Sequence, residues 1–403
     1  MERILIKIRF TGAPIEVGEI VLRERKAFFK YKDDFLAQKL SLSPFHLQQT
    51  VNIQRPETDI FDGLFGVFSD SLPDGWGRLV MDRALTDKGT SLANINVLDR
   101  LALVGESGPG ALSYHPVRND VAGETNNIDL DAIVLEANRV LAGESSDVVE
   151  ELVRLGGSSG GARPKIVAGY NPITDQLITG TNSFPEGYEH WIIKFPATLD
   201  PKDIASTELT YHKMALAAGL DMHTSRLFTG KSGRTYFGTK RFDRQGNDRL
   251  HLHSAAGLMH DNFRLTNMDY GHVMDAAFRL EKDRAAYEKV LRLAAFNVFA
   301  HNRDDHSKNI SFLMDASGNW RLAPAYDLTF SQSSHGYHSM TVGGESKNPG
   351  RTELLGLAKS FAIKKPERII DEVREVINRW PEFAKSSSVP QDSILRINRD
   401  LNP

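Results

Sequence analysis

Residues 302–309, Asn-Arg-Asp-Asp-His-Ser-Lys-Asn, are polar at every position, yet they join two apolar runs at 291–300 and 310–313. The first run has helical spacing and the second reads as a strand, so a polar turn is fixed between two packing elements. Buried polar groups need partners. A solvated turn accounts poorly for so dense a set, and a site built on the turn accounts for it well. Around this turn the chain has material for a large core: 403 residues, 40% apolar and 25% charged, the balance of a soluble globular protein of two or three domains. It has no cysteine, which excludes disulfides, thiolate catalysis, Cys-bound zinc and iron–sulfur clusters and fits a reducing compartment. The start, MERILIKIRF, lacks a signal-peptide apolar run, and no stretch approaches the length of a membrane span. The expectation is a cytoplasmic protein with no membrane partner. With 49 basic and 52 acidic residues, net charge −3, the surface as a whole is no nucleic-acid magnet.

The first 30 residues read as strands around a Gly12-Ala13-Pro14 turn. Residues 61–83 read as a helix, a break at Ser71–Gly75 and a second helix from about Asp74, a packing motif without a catalytic constellation of its own. Residues 116–130 are the best candidate linker. Runs at 165–170, 189–195 and 235–242 read as strands, 203–219 as one helix, and the chain from Ala285 onward as mostly helical. The expected fold class is α+β and two-lobed, with a mixed N-terminal lobe and a mainly helical C-terminal lobe. The expected division is 1–115, a subdomain with a small sheet; 116–243, the remainder of the N-terminal lobe; and 244–403, the helical lobe.

Four features carry chemistry in chain order. Gly156–Gly161 with Ser158 and Ser159, followed by Ala162, Arg163 and Lys165, forms a Gly/Ser loop before a strand. Its backbone N–H groups suit phosphate oxygens, although it is neither a Walker loop nor a dinucleotide fingerprint. Lys194 lies near the middle of the strand 189–195 and shares a face with His190 and Ile192. Burying it needs a partner, and Glu208 on the next helix is the candidate. In the polar turn, Asp304 and Asn309 stand five apart, the separation of a kinase catalytic loop, whose Asp orients the acceptor hydroxyl and whose Asn ligates Mg²⁺. Lys308 would neutralise a transferring phosphoryl group; Asp305 is the rival base. Asp327 follows a hairpin built from 310–314 and 320–322 and pairs with Asn309 as a set of hard oxygen donors.

These motifs together resemble the HipA family of bacterial serine/threonine kinases, toxins of type II toxin–antitoxin modules. FGVFSDSLPDGWGR resembles the family's N-terminal coupling domain, GGSSGGARPK its phosphate loop, HWIIKFP its ATP-lysine strand, RFDR its hinge, NRDDHSKN its catalytic loop and LAPAYDL its metal segment. The resemblance implies a HipA/protein-kinase-like fold, ATP and Mg²⁺ as cofactors, and a translation-related protein substrate such as an aminoacyl-tRNA synthetase. It implies Asp304 as catalytic base, with His306 and Lys308 beside it, and Asn309 and Asp327 as metal ligands. Ser158, Ser159, Gly160, Gly161, Ala162, Lys165, Lys194, Lys240 and Phe242 would contact the nucleotide, together with His306 and Lys308. Ser158 would be the autophosphorylated residue, with Ser159 as the alternative. It also implies a HipB-like helix-turn-helix antitoxin as partner, and DNA contact only through it. A small-molecule or lipid kinase is the rival enzyme; a largely non-catalytic, antitoxin-binding co-repressor is the rival without chemistry. The histidines at 251, 253, 335 and 338 carry no metal reading, and the last two lie in a Ser/Gly-rich stretch expected to be a surface loop.

Overall fold

The computed structural model describes residues 1–118, 126–144, 149–156, 161–180, 182–265, 267–333 and 336–402. The N-terminal strands Arg3–Ile8, Ile15–Arg23 and Lys26–Tyr31 form an antiparallel meander, and Leu112–His115 closes its other edge. Ile8 pairs with Ile15 across the Gly12–Pro14 turn. Ile4, Ile6 and Ile8 alternate inward, as a half-buried strand requires, and pack with Phe29, Phe35 and Phe68.

A second sheet runs Gln176–Thr179, Lys165–Asn171, Glu189–Lys194, Thr235–Lys240, Ser225–Thr229 in spatial order, antiparallel throughout. Helices Leu130–Leu141 and Val149–Gly156 contribute Leu130, Val134 and Leu155 to its core. Trp191 and Ile193 join that core. The two-residue period therefore turns Lys194 to the opposite face.

The third core is helical. Helices Tyr270–Glu281, Ala285–Phe299, Arg351–Ser360 and Pro366–Asn378 surround Val290, Phe296, Ile370 and Trp380. Helix Ile204–Ala217 joins it through Tyr211, Met214 and Ala215, and Tyr211 donates to the Ala300 carbonyl at 2.6 Å. That helix follows the Lys194 strand directly, so one short connection spans both lobes. The chain is two-lobed and mixed, the α+β architecture its sequence predicts. Among the described residues no helix is long and apolar enough to cross a membrane.

The N-terminal domain docks on the small sheet His251–Ser254, Ser311–Met314, Trp320–Leu322. His253 Nδ1 donates to Asp70 at 2.6 Å, the Ser254 N–H donates to the same carboxylate at 2.7 Å, and His251 Nε2 donates to the Leu42 carbonyl at 2.9 Å. Gly66 lies so close that a Cβ on it would stand 2.0 Å from the Gly257 carbonyl oxygen. His338 departs from its expectation: it is buried, held by a carboxylate rather than set in a surface loop. Composition marked the stretch as polar, but one buried acceptor draws this histidine inward. His335 lies outside the described residues.

A buried knot of charge joins the sheets at the RFDR segment. Asp243 accepts from Arg241 Nε at 2.9 Å and Nη2 at 2.7 Å, from Arg244 at 2.7 Å and from the Gly110 N–H at 2.7 Å. Burial alone would raise its carboxyl, but Arg241 and Arg244 outweigh burial and hold it far below the carboxylate range. A carboxyl lowered in the folded state stabilises the fold above its unfolded pKa, about 3.9, and that stabilisation is lost as pH falls toward the folded value. Asp243→Asn leaves buried guanidinium charge uncompensated. It is expected to cost about 3–5 kcal/mol in urea denaturation at neutral pH; a cost under about 1 kcal/mol would show that the knot does not hold the N-terminal domain to the RFDR segment.

Candidate active site

Lys194 is the last residue of its strand, and its side chain is only 11% exposed. Its ammonium donates to Glu208 Oε2 at 3.0 Å and also to Asp327 Oδ1. Glu208 arrives on the lobe-spanning helix and is itself buried; its other oxygen accepts from Arg163 at 2.6 Å. Arg163 forks onto Asp200 with bonds of 3.0–3.2 Å. Lys165 pairs in register with Lys194 across the sheet, and a Cβ on Gly161 would lie 2.6 Å from the Lys165 ammonium nitrogen. Three cations thus gather with Glu208, Asp200 and Asp327.

The electrostatics follow from that crowding. Burial would lower Lys194, but Asp327 and Glu208 outweigh it and hold the ammonium well above its ordinary range. Burial pulls Lys165 down, and nearby Lys194 adds to the effect against Asp327 and Asp74. Burial would raise Asp327, yet Lys194, Lys165 and Arg163 keep it well below the carboxylate range. Asp327 is therefore anionic at neutral pH, and its backbone sits at φ 57°, in the left-handed region. A non-glycine residue held there is uncommon and accompanies functional sites.

The polar turn divides its two aspartates. Asp305 is buried; it accepts from Tyr270 Oη at 2.9 Å, His338 Nδ1 at 3.0 Å and the Ser339 N–H at 2.8 Å. Asn297 donates to the Tyr270 oxygen at 2.8 Å, and Asn302 donates to Asn297 at 2.9 Å. Asp304, one residue earlier, keeps 60% of its side chain exposed and lies 3.7 Å from His306 Nε2. Desolvation by the surrounding walls pushes its carboxyl up, His306 opposes this, and Asp327 and Asp305 reinforce it. Asn309 donates its amide N–H to the Asp304 carbonyl at 2.8 Å, which leaves its oxygen for another contact. The Tyr326 hydroxyl lies 2.7 Å from the Lys308 carbonyl and 2.7 Å from Ser311 Oγ, tying the segment before Asp327 to the turn.

The structure brings together Lys165, Lys194 and Asp327, and it links Asp304, Lys308 and Asn309 to them through Tyr326. Gly161 and Ala162 begin the described part beyond the Gly/Ser loop, while Ser158, Ser159 and Gly160 lie outside the described residues. Lys240 stands apart. Its ammonium donates to Glu189 at 2.6 Å, its N–H to the Thr224 carbonyl at 2.8 Å, and its carbonyl lies 3.1 Å from His223 Nδ1. The Phe242 ring packs 5.4 Å from Tyr326. Asp74, absent from the candidate residues, reaches the site from the N-terminal domain and accepts from Lys308 at 2.6 Å. Its only trace in sequence is a turn-forming Pro-Asp-Gly.

A β-lobe bearing a paired lysine, set against a helical lobe bearing an Asp/Asn turn, defines a two-lobed, kinase-like fold. The HipA N-terminal domain profile matches residues 10–115 and the HipA-like C-terminal domain profile matches residues 157–380; the chain belongs to the HipA family. HipA of the Shewanella oneidensis MR-1 toxin–antitoxin system, solved with HipB and operator DNA, is similar in fold. Its TM-score is 0.70 at 17% identity, covering 98% of this chain and 95% of that one. The Helicobacter pylori proinflammatory kinase CtkA matches at a TM-score of 0.34 and 13% identity, over 54% of this chain and 92% of that one. No curated protein sequence matches.

The two aspartates of the turn are expected to separate in stability. Asp305→Asn weakens a buried acceptor of three bonds and is expected to cost about 2–3 kcal/mol. Asp304→Asn is expected to change stability by less than about 0.5 kcal/mol, as for an exposed residue. Urea midpoints of the two variants check this, and equal losses would contradict it.

Proposed function

We propose that this chain is an ATP- and Mg²⁺-dependent protein serine/threonine kinase, the growth-arresting toxin of a toxin–antitoxin pair. The observation that carries the reading is the Lys194 ammonium held between Glu208 and Asp327, with the Asp304–Asn309 turn tied to the same segment. A lysine so held is fixed for nucleotide phosphates, and Lys165 adds a second cation beside it. The Gly-rich segment would supply backbone N–H donors from Ser158, Ser159, Gly160 and Ala162, while Gly161, whose own N–H goes to Asp74, would line the site with its backbone.

The residues fit the implied metal. Mg²⁺ takes few protein oxygens and completes its shell with water and phosphates; an anionic Asp327 and the Asn309 amide oxygen are such a pair. When bound with ATP, the metal would neutralise phosphate charge. Asp304 would orient the acceptor hydroxyl and take its proton, a role suited to a raised carboxyl in an open position. His306 lies beside Asp304, and the Lys308 ammonium would offset charge on the moving phosphoryl group. Phe242 would border the adenine, while Lys240, its ammonium and backbone already held by Glu189, Thr224 and His223, would back that wall rather than bond the base.

The partner reading rests on family membership and on the Shewanella HipA, solved with HipB and operator DNA. A HipB-like helix-turn-helix antitoxin would bind this chain and carry the DNA contact, in keeping with a net charge of −3. The acceptor would be a translation-related protein. Phosphate on Ser158, or alternatively Ser159, would add about −1.5 to −2 charges beside the phosphate site and oppose nucleotide binding. Phosphopeptide mass spectrometry of protein incubated with Mg-ATP is expected to find it; an unmodified loop during active turnover would remove self-inactivation from the proposal.

The test of the central roles is transfer from γ-labelled ATP into lysate protein. Asp304→Asn is expected to lose at least about 100-fold in transfer while holding Mg-ATP affinity within about threefold. Asp327→Asn is expected to lose both. Full transfer by Asp304→Asn would reject the base assignment, and labelled metabolites or lipids in place of labelled protein would favour a small-molecule kinase.

A further inference from the structure

Asp74 lies 234 residues before Lys308 and 87 before Gly161, yet it bonds to both. It precedes the helix Gly75–Asp87 of the N-terminal domain. One carboxylate oxygen accepts from the Lys308 ammonium at 2.6 Å, and the other accepts the Gly161 N–H. Lys308 belongs to the polar turn, and Gly161 ends the Gly/Ser loop. One side chain therefore ties together two segments that the site needs in fixed relation.

The surrounding backbone keeps Asp74 in place. The Trp76 N–H donates to the Gly161 carbonyl at 2.9 Å. Gly75 has φ 43°, and a Cβ on it would stand 2.4 Å from the Gly161 carbonyl oxygen and 2.8 Å from Ala162 Cα. The other end of the loop meets the same helix: a Cβ on Gly156 would lie 3.2 Å from Trp76 Nε1. Backbone packed this closely cannot swing away without breaking several contacts. Lys308 is steadied as well. Its carbonyl is met by the Tyr326 hydroxyl at 2.7 Å, and its ammonium lies 5.1 Å from the Phe263 ring centroid. An ammonium has three N–H donors. The bond to Asp74 uses one, aims the group and leaves two for a phosphoryl oxygen.

We propose that Asp74 is a positioning residue for phosphoryl transfer, through which the N-terminal domain sets the Lys308 ammonium and the Gly161 end of the loop relative to each other. The inference rests on the kinase reading above for its consequence, and on geometry alone for the contact itself. Small misplacements of groups that must meet a transition state are costly in rate. An isolated loss of packing would not discriminate between turnover and nucleotide binding.

The full chain carrying Asp74→Asn keeps the shape and loses the charge. Its kcat for transfer from γ-labelled ATP is expected to fall about 10- to 100-fold, with KM for Mg-ATP within about threefold in a variant that remains folded at the assay temperature. Asp74→Glu, which restores the charge, is expected to recover part of the lost rate. In Asp74→Ala, hydrogen exchange at the Gly161 amide is expected to rise at least about tenfold, while the helical lobe exchanges as in wild type. Wild-type kcat in Asp74→Asn would overturn the proposal. So would faster transfer with tighter Mg-ATP binding, which would make Asp74 a competitor of phosphate. If wild type itself transfers no phosphate from ATP, the kinase reading fails, and the exchange measurement still decides: unchanged exchange at Gly161 in Asp74→Ala would overturn the positioning role.

Discussion

The Lys194 ammonium, largely removed from water, is the interaction on which the rest of the arrangement depends. An unpaired buried cation is costly enough that the group would give up its proton. Here two carboxylates keep it charged, and each comes from a different part of the chain. Glu208 stands on a helix whose apolar face belongs to the helical lobe, and Asp327 follows the hairpin beyond the polar turn. Satisfying one lysine therefore brings the lobes together at one point. A buried ion pair is weak evidence of stability, because desolvation offsets much of its attraction. Its value here is geometric: it fixes a cation and two anions at the point where the lobes meet.

The same logic recurs where the domains meet. Asp243 gathers Arg241, Arg244 and the Gly110 N–H, and Asp70 gathers His253 and Ser254. Asp74 gathers Lys308 and Gly161. In each case one carboxylate accepts from at least one donor distant in sequence, while separate apolar cores form behind it. Apolar burial supplies most of the folding energy and is non-directional. Charged hydrogen bonds are directional and short; they set how the bodies sit.

Much of this was legible because local chemistry repeats with the period of its element. Alternation in 189–194 placed Lys194 opposite Trp191 and Ile193, and Glu208 was recognisable as its partner on the next helix. The polar turn, the hairpin and Asp327 could be read in order. What stayed hidden depends on contacts between remote segments. Spacing could not separate Asp304 from Asp305; the distinction comes from Tyr270, His338 and Ser339, which converge on one carboxylate from two other regions. The burial of His338 has the same origin. Asp74 carried no signal beyond a turn, because its partners lie across the fold. Arg163 follows the loop directly in sequence, yet its guanidinium is held by Asp200 and Glu208, which no local pattern foretold.

The central claim is that the Lys194 pair marks a nucleotide-phosphate site. Calorimetric titration of ATP in Mg²⁺ into wild type and Lys194→Met tests it most directly. A charged hydrogen bond contributes about 1.5–3 kcal/mol, so the account predicts at least about tenfold weaker binding in a variant that remains folded. Equal affinity in the two proteins would contradict it.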